Sequence, residues 1–358
     1  MNNTRNRTGV VQACLVGLAL GVSCAPAWAF NSGSTGTDGA FSPTVNTRLT
    51  PPPDGIFNFT DVNIPTGVTV TFAKNAANTP VTILASGNVM IAGTMDLRGG
   101  NSPAVGAAGD GNIGDDGLPG TGGPGGFDGG AGGSVGTNRR GGDGIGPGAG
   151  GGGNLQNTRT CGGGGGGFAG SGGVSRFCNN GSRGAGGTVY GVAELLPLIG
   201  GSGGGGGNGG TAFRGSGGGG GGGAILIAST GTVDITGSIF AGGGASGGSG
   251  GSGVGGSGGG GSGGAIRIVA TTLTGNGVIQ ANGGNGRTSS DSLKEGGSGA
   301  VGRIRLEAET ITRTAATSPA FSFQSPQAVF VAGLPGLRIT RVAGVDAPVN
   351  PTGSADIV

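Results

Sequence analysis

Histidine is absent from all 358 residues, and lysine occurs only at Lys74 and Lys294. Without histidine the chain lacks the commonest general base, the Ser–His and Cys–His nucleophile systems and the usual zinc ligand. Charged residues make up 10% and aromatics 4% of the chain, with Tyr190 and Trp28 the sole examples of their kinds. No basic tract occurs, which argues against nucleic acid as a partner. No stretch beyond the first 29 residues is long and apolar enough for a transmembrane helix.

Residues 1–29 read as a secretory signal peptide. Arg5 and Arg7 supply the positive start, Gly9 to Val22 is apolar apart from Gln12, and Ala27-Trp28-Ala29 offers small residues for cleavage between Ala29 and Phe30. A run of about 14 apolar residues is too short to span a bilayer. Lipidation at Cys24 is the competing reading, but Gly21 stands where an aliphatic residue is expected. Cleavage would remove Arg5 and Arg7, taking the formal charge from +2 to 0. It would also remove Cys14 and Cys24, leaving Cys161 and Cys178 as an even pair in an oxidising compartment, which predicts one disulfide. The expected location is therefore secreted or in the cell envelope.

A repeat lies among the glycines. Val81 to Gly100 aligns without a gap on Ile225 to Gly244, an offset of 144, with identities at Gly87/Gly231, Val89/Val233, Ile91/Ile235, Gly93/Gly237, Gly99/Gly243 and Gly100/Gly244. A third copy runs from Ile266 to Gly284 with one residue deleted near Thr272, and a fourth begins at Ile304. In the first copy Val81, Ile83, Ala85, Val89, Ile91, Met95 and Leu97 alternate with mostly polar residues. Period two places them on one face of extended backbone, with Gly87 and Gly93 as corners. In the second copy Ser229 is the one exception to the pattern. Ile56 to Lys74 reads as an earlier copy with Val68, Val70 and Phe72 inward, and Ala328 to Val331 as part of a later one.

Each full copy ends in Gly-Gly and enters a glycine-rich excursion: 99–223, 242–264 and 283–300. Insertions leaving at one point of a repeat favour a solenoid over an antiparallel sandwich of hairpins. The sequence therefore predicts an all-β fold, a right-handed parallel β-helix of about five coils with long glycine-rich lateral insertions. Its plan is a lead-in over 30–55, first coils over 56–98, an insertion over 99–223, further coils over 224–314, and a C-terminal cap or small β module over 315–358. Glycine recurs at every third residue from Gly111 to Gly132. That is the period of a polyproline II helix, while two prolines, Pro119 and Pro124, are too few for collagen. Ordered packing of such helices, loose loops, and local strands stacked on the solenoid all fit.

Two clusters offer chemistry. Arg267 and Arg305 fall at equivalent outward positions of adjacent copies, with Glu307 and Asp234 near them in the repeat register. Such a patch on a solvated sheet face could hold a uronate carboxylate through the guanidinium fork. Asp110, Asp115 and Asp116 beside glycine turns are candidate calcium ligands, although the nonapeptide calcium repeat does not recur. The glycine runs lack the Lys-Ser/Thr of a phosphate loop, and no cofactor is expected.

Gly263-Gly-Ala-Ile-Arg-Ile-Val-Ala270 and Gly277-Val-Ile-Gln-Ala-Asn-Gly-Gly284 resemble the recurring unit of exported bacterial glycine-rich proteins with β-helical coils of the pectin-lyase-like or adhesin type. Pro52-Pro-Asp-Gly-Ile-Phe-Asn-Phe-Thr60, Leu337-Arg-Ile339 and Asn350-Pro-Thr-Gly353 resemble segments of the same group. The resemblance implies a surface role and carries no catalytic motif. The expectation is a structural or adhesive surface protein and no enzyme, with polysaccharide, envelope proteins or itself as partners. A β-helical polysaccharide lyase or hydrolase is the first alternative. An ice- or surface-binding protein is the second, and it would need flat outward threonine columns.

Overall fold

The structure, a computed structural model, describes residues 30–103, 117–135, 139–156, 159–176, 178, 182–211, 214–247, 255–286, 295–330, 341–342 and 344–346. The signal-peptide reading (Ala29 and everything before it) and Asp110, Asp115 and Asp116 lie outside the described residues. Among the described residues there is no helix; apart from two short antiparallel pairs, all pairing is parallel.

The first strands are β1 (Thr47–Leu49), β2 (Ile56–Phe59), β3 (Val62–Ile64), β4 (Thr69–Phe72), β5 (Val81–Ala85), β6 (Val89–Ile91) and β7 (Thr94–Asp96). After the small antiparallel pair β8 (Leu155–Gln156) and β9 (Arg159–Thr160) come β10 (Ala224–Ile235), β11 (Ser238–Phe240), β12 (Ala265–Thr274), β13 (Val278–Gln280), β14 (Arg303–Ile311) and β15 (Ser322–Gln324). A last antiparallel pair joins β16 (Arg341–Val342) to β17 (Val345–Asp346).

Two parallel sheets result. One runs β1-β4-β7-β11-β13, the other β2-β5-β10-β12-β14-β15, with β3 and β6 extending it beside the second half of β10. The chain alternates between them, so residues one repeat apart become neighbours. Val81 pairs with Ile225, Val89 with Val233 and Thr94 with Ser238, all at the repeat offset of 144. The expected deletion near Thr272 is present as a register shift: Ser229 pairs with Ala270, and the next pair is Thr232 with Thr272.

The inward side chains meet in one core. Val70, Val81, Ile83, Val89, Ile91, Met95, Ile225, Ile227, Val233, Ile235, Ile239, Ile266, Ile268, Leu273, Ile304 and Leu306 are all buried there. Ser229 breaks the apolar pattern because its hydroxyl donates to the Gly87 carbonyl at 2.6 Å, in the bend between β5 and β6. The lead-in runs along the free edge of β2 and β3, with Asp38 and Phe41 donating to the carbonyls of Asn58 and Asp61. Val329 departs from the expected later copy: it packs on the outer face of the long sheet, beside Leu84, Leu226 and Val269.

The glycine segments form a second ordered body, whose period of three shows in its hydrogen bonds. The N–H groups of Gly201, Gly204 and Gly207 donate to Gly222, Gly219 and Ser216, while those of Gly203, Gly206 and Gly209 donate to Ile145, Gly142 and Arg139. The N–H groups of Gly205 and Asn208 donate to Gly164 and Cys161. Carbonyls alternate likewise: Gly201, Gly204 and Gly207 accept from Phe127, Gly130 and Gly133, Gly203 and Gly206 from Gly150 and Gly153, and Gly205 and Asn208 from Gly259 and Gly256. These bonds span 2.7–3.0 Å and give segment 200–209 six neighbours, as an extended three-residue helix surrounded by its own kind would have.

The same bookkeeping arranges fourteen segments in rows of three, four, four and three. The first row holds 97–103, 241–247 and 281–286, continuing β7, β11 and β13. The second holds 117–124, 214–223, 255–264 and 295–302, the last three leading into β10, β12 and β14. The third holds 126–134, 200–209, 160–168 and 170–176, and the fourth 139–146, 148–154 and 182–190. Two sheet layers thus run directly into two of the four rows.

Glycine is required inside this block for space. A methyl group placed on Gly206 would stand 2.0 Å from the Ala131 carbonyl oxygen, and one on Gly207 1.9 Å from that of Gly256. Larger residues sit on the boundary at every third position: Asp128, Ala131 and Ser134; Ser182, Ala185 and Thr188; Glu295, Ser298 and Val301, none of them buried. Inside, Ser216 and Ser202 lend hydroxyls as acceptors to Gly258 and Gly148. The Cys161–Cys178 disulfide, with Cα atoms 6.0 Å apart, ties the start of 160–168 to the connection after 170–176.

Gly206→Ala should lower unfolding stability by about 3 kcal/mol, the upper end of overpacking costs, since only backbone surrounds it. Gly170→Ala, with nothing within 4 Å of the added methyl, should leave it unchanged. Urea melts of the two variants check this, and equal midpoints would count against the close-packed block.

Candidate functional site

The four expected ligand-binding residues divide. Arg267 and Arg305 are direct cross-strand partners in β12 and β14, and Glu307 pairs with Val269 one inward–outward step further on. Asp234 pairs instead with Thr274 and Met90, beyond the bend of β10, and takes no part. Its place in a cluster assumed that proximity along one copy survives the corner at residues 229–232, which turns the chain away.

The solvated face expected around the arginines is also corrected. Arg267 and Arg305 are 1% and 4% exposed and Glu307 is fully buried. The long sheet carries a second, smaller core on its outer side, where Leu84, Leu226, Ala228, Val269 and Val329 pack with Phe30, Ile56 and Leu198. Two segments remote in sequence provide the cover, the 195–198 turn leaving the fourth row and the strap following β15.

Within it the three side chains form a closed ion triad. Glu307 accepts from Arg267 Nε at 2.9 Å and from Arg305 Nε at 2.6 Å, and its second oxygen takes Arg267 Nη2 at 3.2 Å and the Gln327 N–H at 2.8 Å. Arg267 also donates to the carbonyls of Ala328 and Val329, at 3.1 and 3.3 Å. Arg305 donates to the Gln324 side-chain oxygen at 2.5 Å. Burial pushes the Glu307 carboxyl up, but the hydrogen bonds from both arginines and from Gln327 outweigh it and leave it below its ordinary value. The triad therefore fastens residues 324–329 to the sheet as a clasp, both carboxylate oxygens of Glu307 and all three Arg267 nitrogens being used within it or on the strap.

A shallow groove of about 340 Å³ lies beside the clasp, lined by apolar atoms of Leu195, Leu196, Leu198, Leu226, Pro80 and Val329. A second, polar groove of about 570 Å³ opens on the other sheet, where Arg98 grips Asp96 at 2.6 Å beside Arg48, Thr71 and Asn101. Between the sheets and the block, Tyr190 stacks on Phe168 with ring centres 4.7 Å apart and donates to the Gly200 carbonyl at 2.5 Å. Burial pushes its hydroxyl up to about 12, against the opposing hydrogen bond from Ser202. Among the described residues no group of three or more Cys, Asp or Glu side chains could hold a metal ion. No helix there is long and apolar enough to cross a membrane.

No known protein family, no curated protein and no solved structure matches this chain.

Removing one member of a buried ionic cluster leaves the others unpaired, which costs about 3–5 kcal/mol. Glu307→Ala should lose stability of that order, whereas Arg267→Met/Arg305→Met/Glu307→Leu should recover most of it. Because the carboxyl lies below its ordinary 4.5, its contribution is complete above that value and is lost as pH falls through the lower folded-state pKa. Wild type should therefore lose more stability below about pH 4 than the triple variant, which keeps only the acid losses common to both, such as that of Asp96 beside Arg98. Denaturant midpoints across pH measure both, and a Glu307→Ala midpoint equal to wild type would refute the clasp.

Proposed function

We propose that this chain is an exported structural or adhesive protein of the cell envelope, a right-handed parallel β-helix of about five coils joined to a polyglycine block. Alternating passage between two parallel sheets, with the repeats stacked in register apart from the one-residue shift after Ser229, supports the β-helix. The carrying observation is the block itself. Fourteen described segments held side by side by main-chain bonds make a stiff body. That arrangement suits display and attachment.

The other readings lose their footholds. The lyase or hydrolase reading relied on Arg267, Arg305 and Glu307 facing solvent, and they hold the strap. The ice-binding reading needs threonine columns, yet on the short sheet the column Thr69, Thr94, Ser238 ends at Val278 and lies beside Asp96 and Phe240.

Surface labelling of intact cells producing the full chain should find it outside, with Phe30 as its first residue by mass spectrometry. Purified residues 30–358 should release no product from a panel of acidic and neutral polysaccharides. An unprocessed chain kept inside cells, or measurable turnover, would defeat the proposal.

A further inference from the structure

The first described residues are bound to the long sheet. Ser32 is buried: its N–H donates to the Thr230 hydroxyl at 3.1 Å and its own hydroxyl to the Ala85 carbonyl at 2.7 Å. The Ser34 hydroxyl donates to the Phe59 carbonyl at 2.7 Å. At the opposite end the Phe30 nitrogen donates to Glu309 Oε1 at 2.6 Å, while its side chain packs on the outer core that holds Leu84, Val269 and Val329. Glu309 belongs to β14, Thr230 to β10, Ala85 to β5 and Phe59 to β2, in a sheet ordered β2-β5-β10-β12-β14. Residues 30–34 therefore run across five strands, from β14 back to β2.

The Phe30 nitrogen is the atom that cleavage after Ala29 turns from an amide into an α-ammonium. Its partner is a carboxylate, so the same contact then gains a full opposite charge. Glu309 is exposed, and among the described residues it has no other hydrogen-bond or ion-pair partner. The other outward residues nearby, Leu84, Ala228, Thr230, Val269 and Thr271, carry no charge, and neither do residues 195–198 and 327–329. Glu307 stands two residues back on β14, roughly 7 Å along the strand, and is held by Arg267 and Arg305. Two guanidiniums and one carboxylate leave that triad one positive charge. It opposes an ammonium at Phe30, but at longer range than Glu309 attracts it.

We infer that Glu309 is the receptor for the α-amine freed at Phe30, so that removal of the signal peptide completes a strap across the long sheet. Before cleavage this nitrogen is an uncharged amide carrying 29 further residues. After it, the strap ends in an ion pair on β14. Glu307 and Glu309, two residues apart, then fasten β14 from outside to two remote segments, residues 324–329 and the start of the mature chain. A carboxylate in contact stabilises the charged amine and raises its pKa above the ordinary range of about 7.7–8.0. The pair's contribution is then complete below that range and is lost as pH rises through the raised value. The inference rests on the export reading for the cut itself, whereas the contact belongs to any chain that begins at Phe30.

The test compares three purified chains released with free N-termini from a fusion partner: residues 30–358, the same chain with Glu309→Gln, and residues 29–358. In the last, Ala29 carries the ammonium one residue away from the carboxylate. Brief acetylation with acetic anhydride across pH, followed by mass spectrometry of the N-terminal peptide, gives the pKa of each α-amine. The value for 30–358 should lie about 0.5 pH unit or more above both others, with labelling about threefold slower at roughly pH 8. Its denaturant midpoint should also fall more steeply than that of Glu309→Gln between about pH 7.5 and 9.5. Matching circular dichroism of the three chains at neutral pH keeps folding defects out of the comparison. An α-amine in 30–358 that titrates no higher than in Glu309→Gln would overturn the inference, as would an equally raised value in 29–358. Cells that never cut after Ala29 would sink the export reading and leave the Phe30–Glu309 contact standing.

Discussion

Everything in this molecule depends on the lateral spacing that a main-chain hydrogen bond imposes on neighbouring extended chains. In the sheets that spacing is about 4.8 Å in one direction, and side chains fill the space above and below. In the polyglycine block it applies in three directions at once, so each inner segment is enclosed by six others, and a Cβ atom fits only at the few positions held by Ser202, Asn208, Ser216, Ser257 and Ser262. The two regimes share a spacing, which lets 97–103 continue β7 and 214–223 lead into β10 without a break in lateral bonding. A chain with 98 glycines thus buries backbone where an ordinary protein buries hydrocarbon.

That choice has an energetic counterpart. Glycine loses more conformational freedom on folding than any other residue, and each hydrogen bond returns only about 1 kcal/mol net of its exchange with water. A lone polyglycine helix would therefore not persist. Segment 200–209 persists because the N–H and C=O groups of residues 200–208 all point at partners, so leaving any of them unpaired in the interior costs more than the bond itself gains. The Cys161–Cys178 closure removes freedom from the unfolded glycine tract, worth about 3 kcal/mol on the chain-entropy account.

The same geometry decides where other residues can go. Side chains survive on boundary positions at every third residue, in the interior as short hydroxyls that replace a missing carbonyl, or at segment ends. Bulky groups collect where the block meets the sheets: Phe168, Tyr190 and Leu195 pack against Ala224 and Ala265, small residues that admit them. The fold therefore gathers its bulky side chains at the end of the segments that meets the sheets.

The sheets were legible because their evidence is linear: an offset of 144, a period of two and a one-residue deletion all translate directly into register. Even the pairing of Arg267 with Arg305, and Glu307 two residues on, could be read this way. Their burial could not, because the cover comes from Val329, 62 residues beyond Arg267, and from Leu198, neither belonging to any repeat. The period of three was visible in 111–134, where other residues interrupt it, and invisible in 217–223, where unbroken glycine fits every period. Yet the longest glycine tracts lie in the inner segments, since a position surrounded by backbone has room for little beyond hydrogen. The loss of readable pattern is therefore itself a physical signal. A chain that is glycine at step after step, with no more than an occasional short polar side chain, is enclosed on all sides by other backbone.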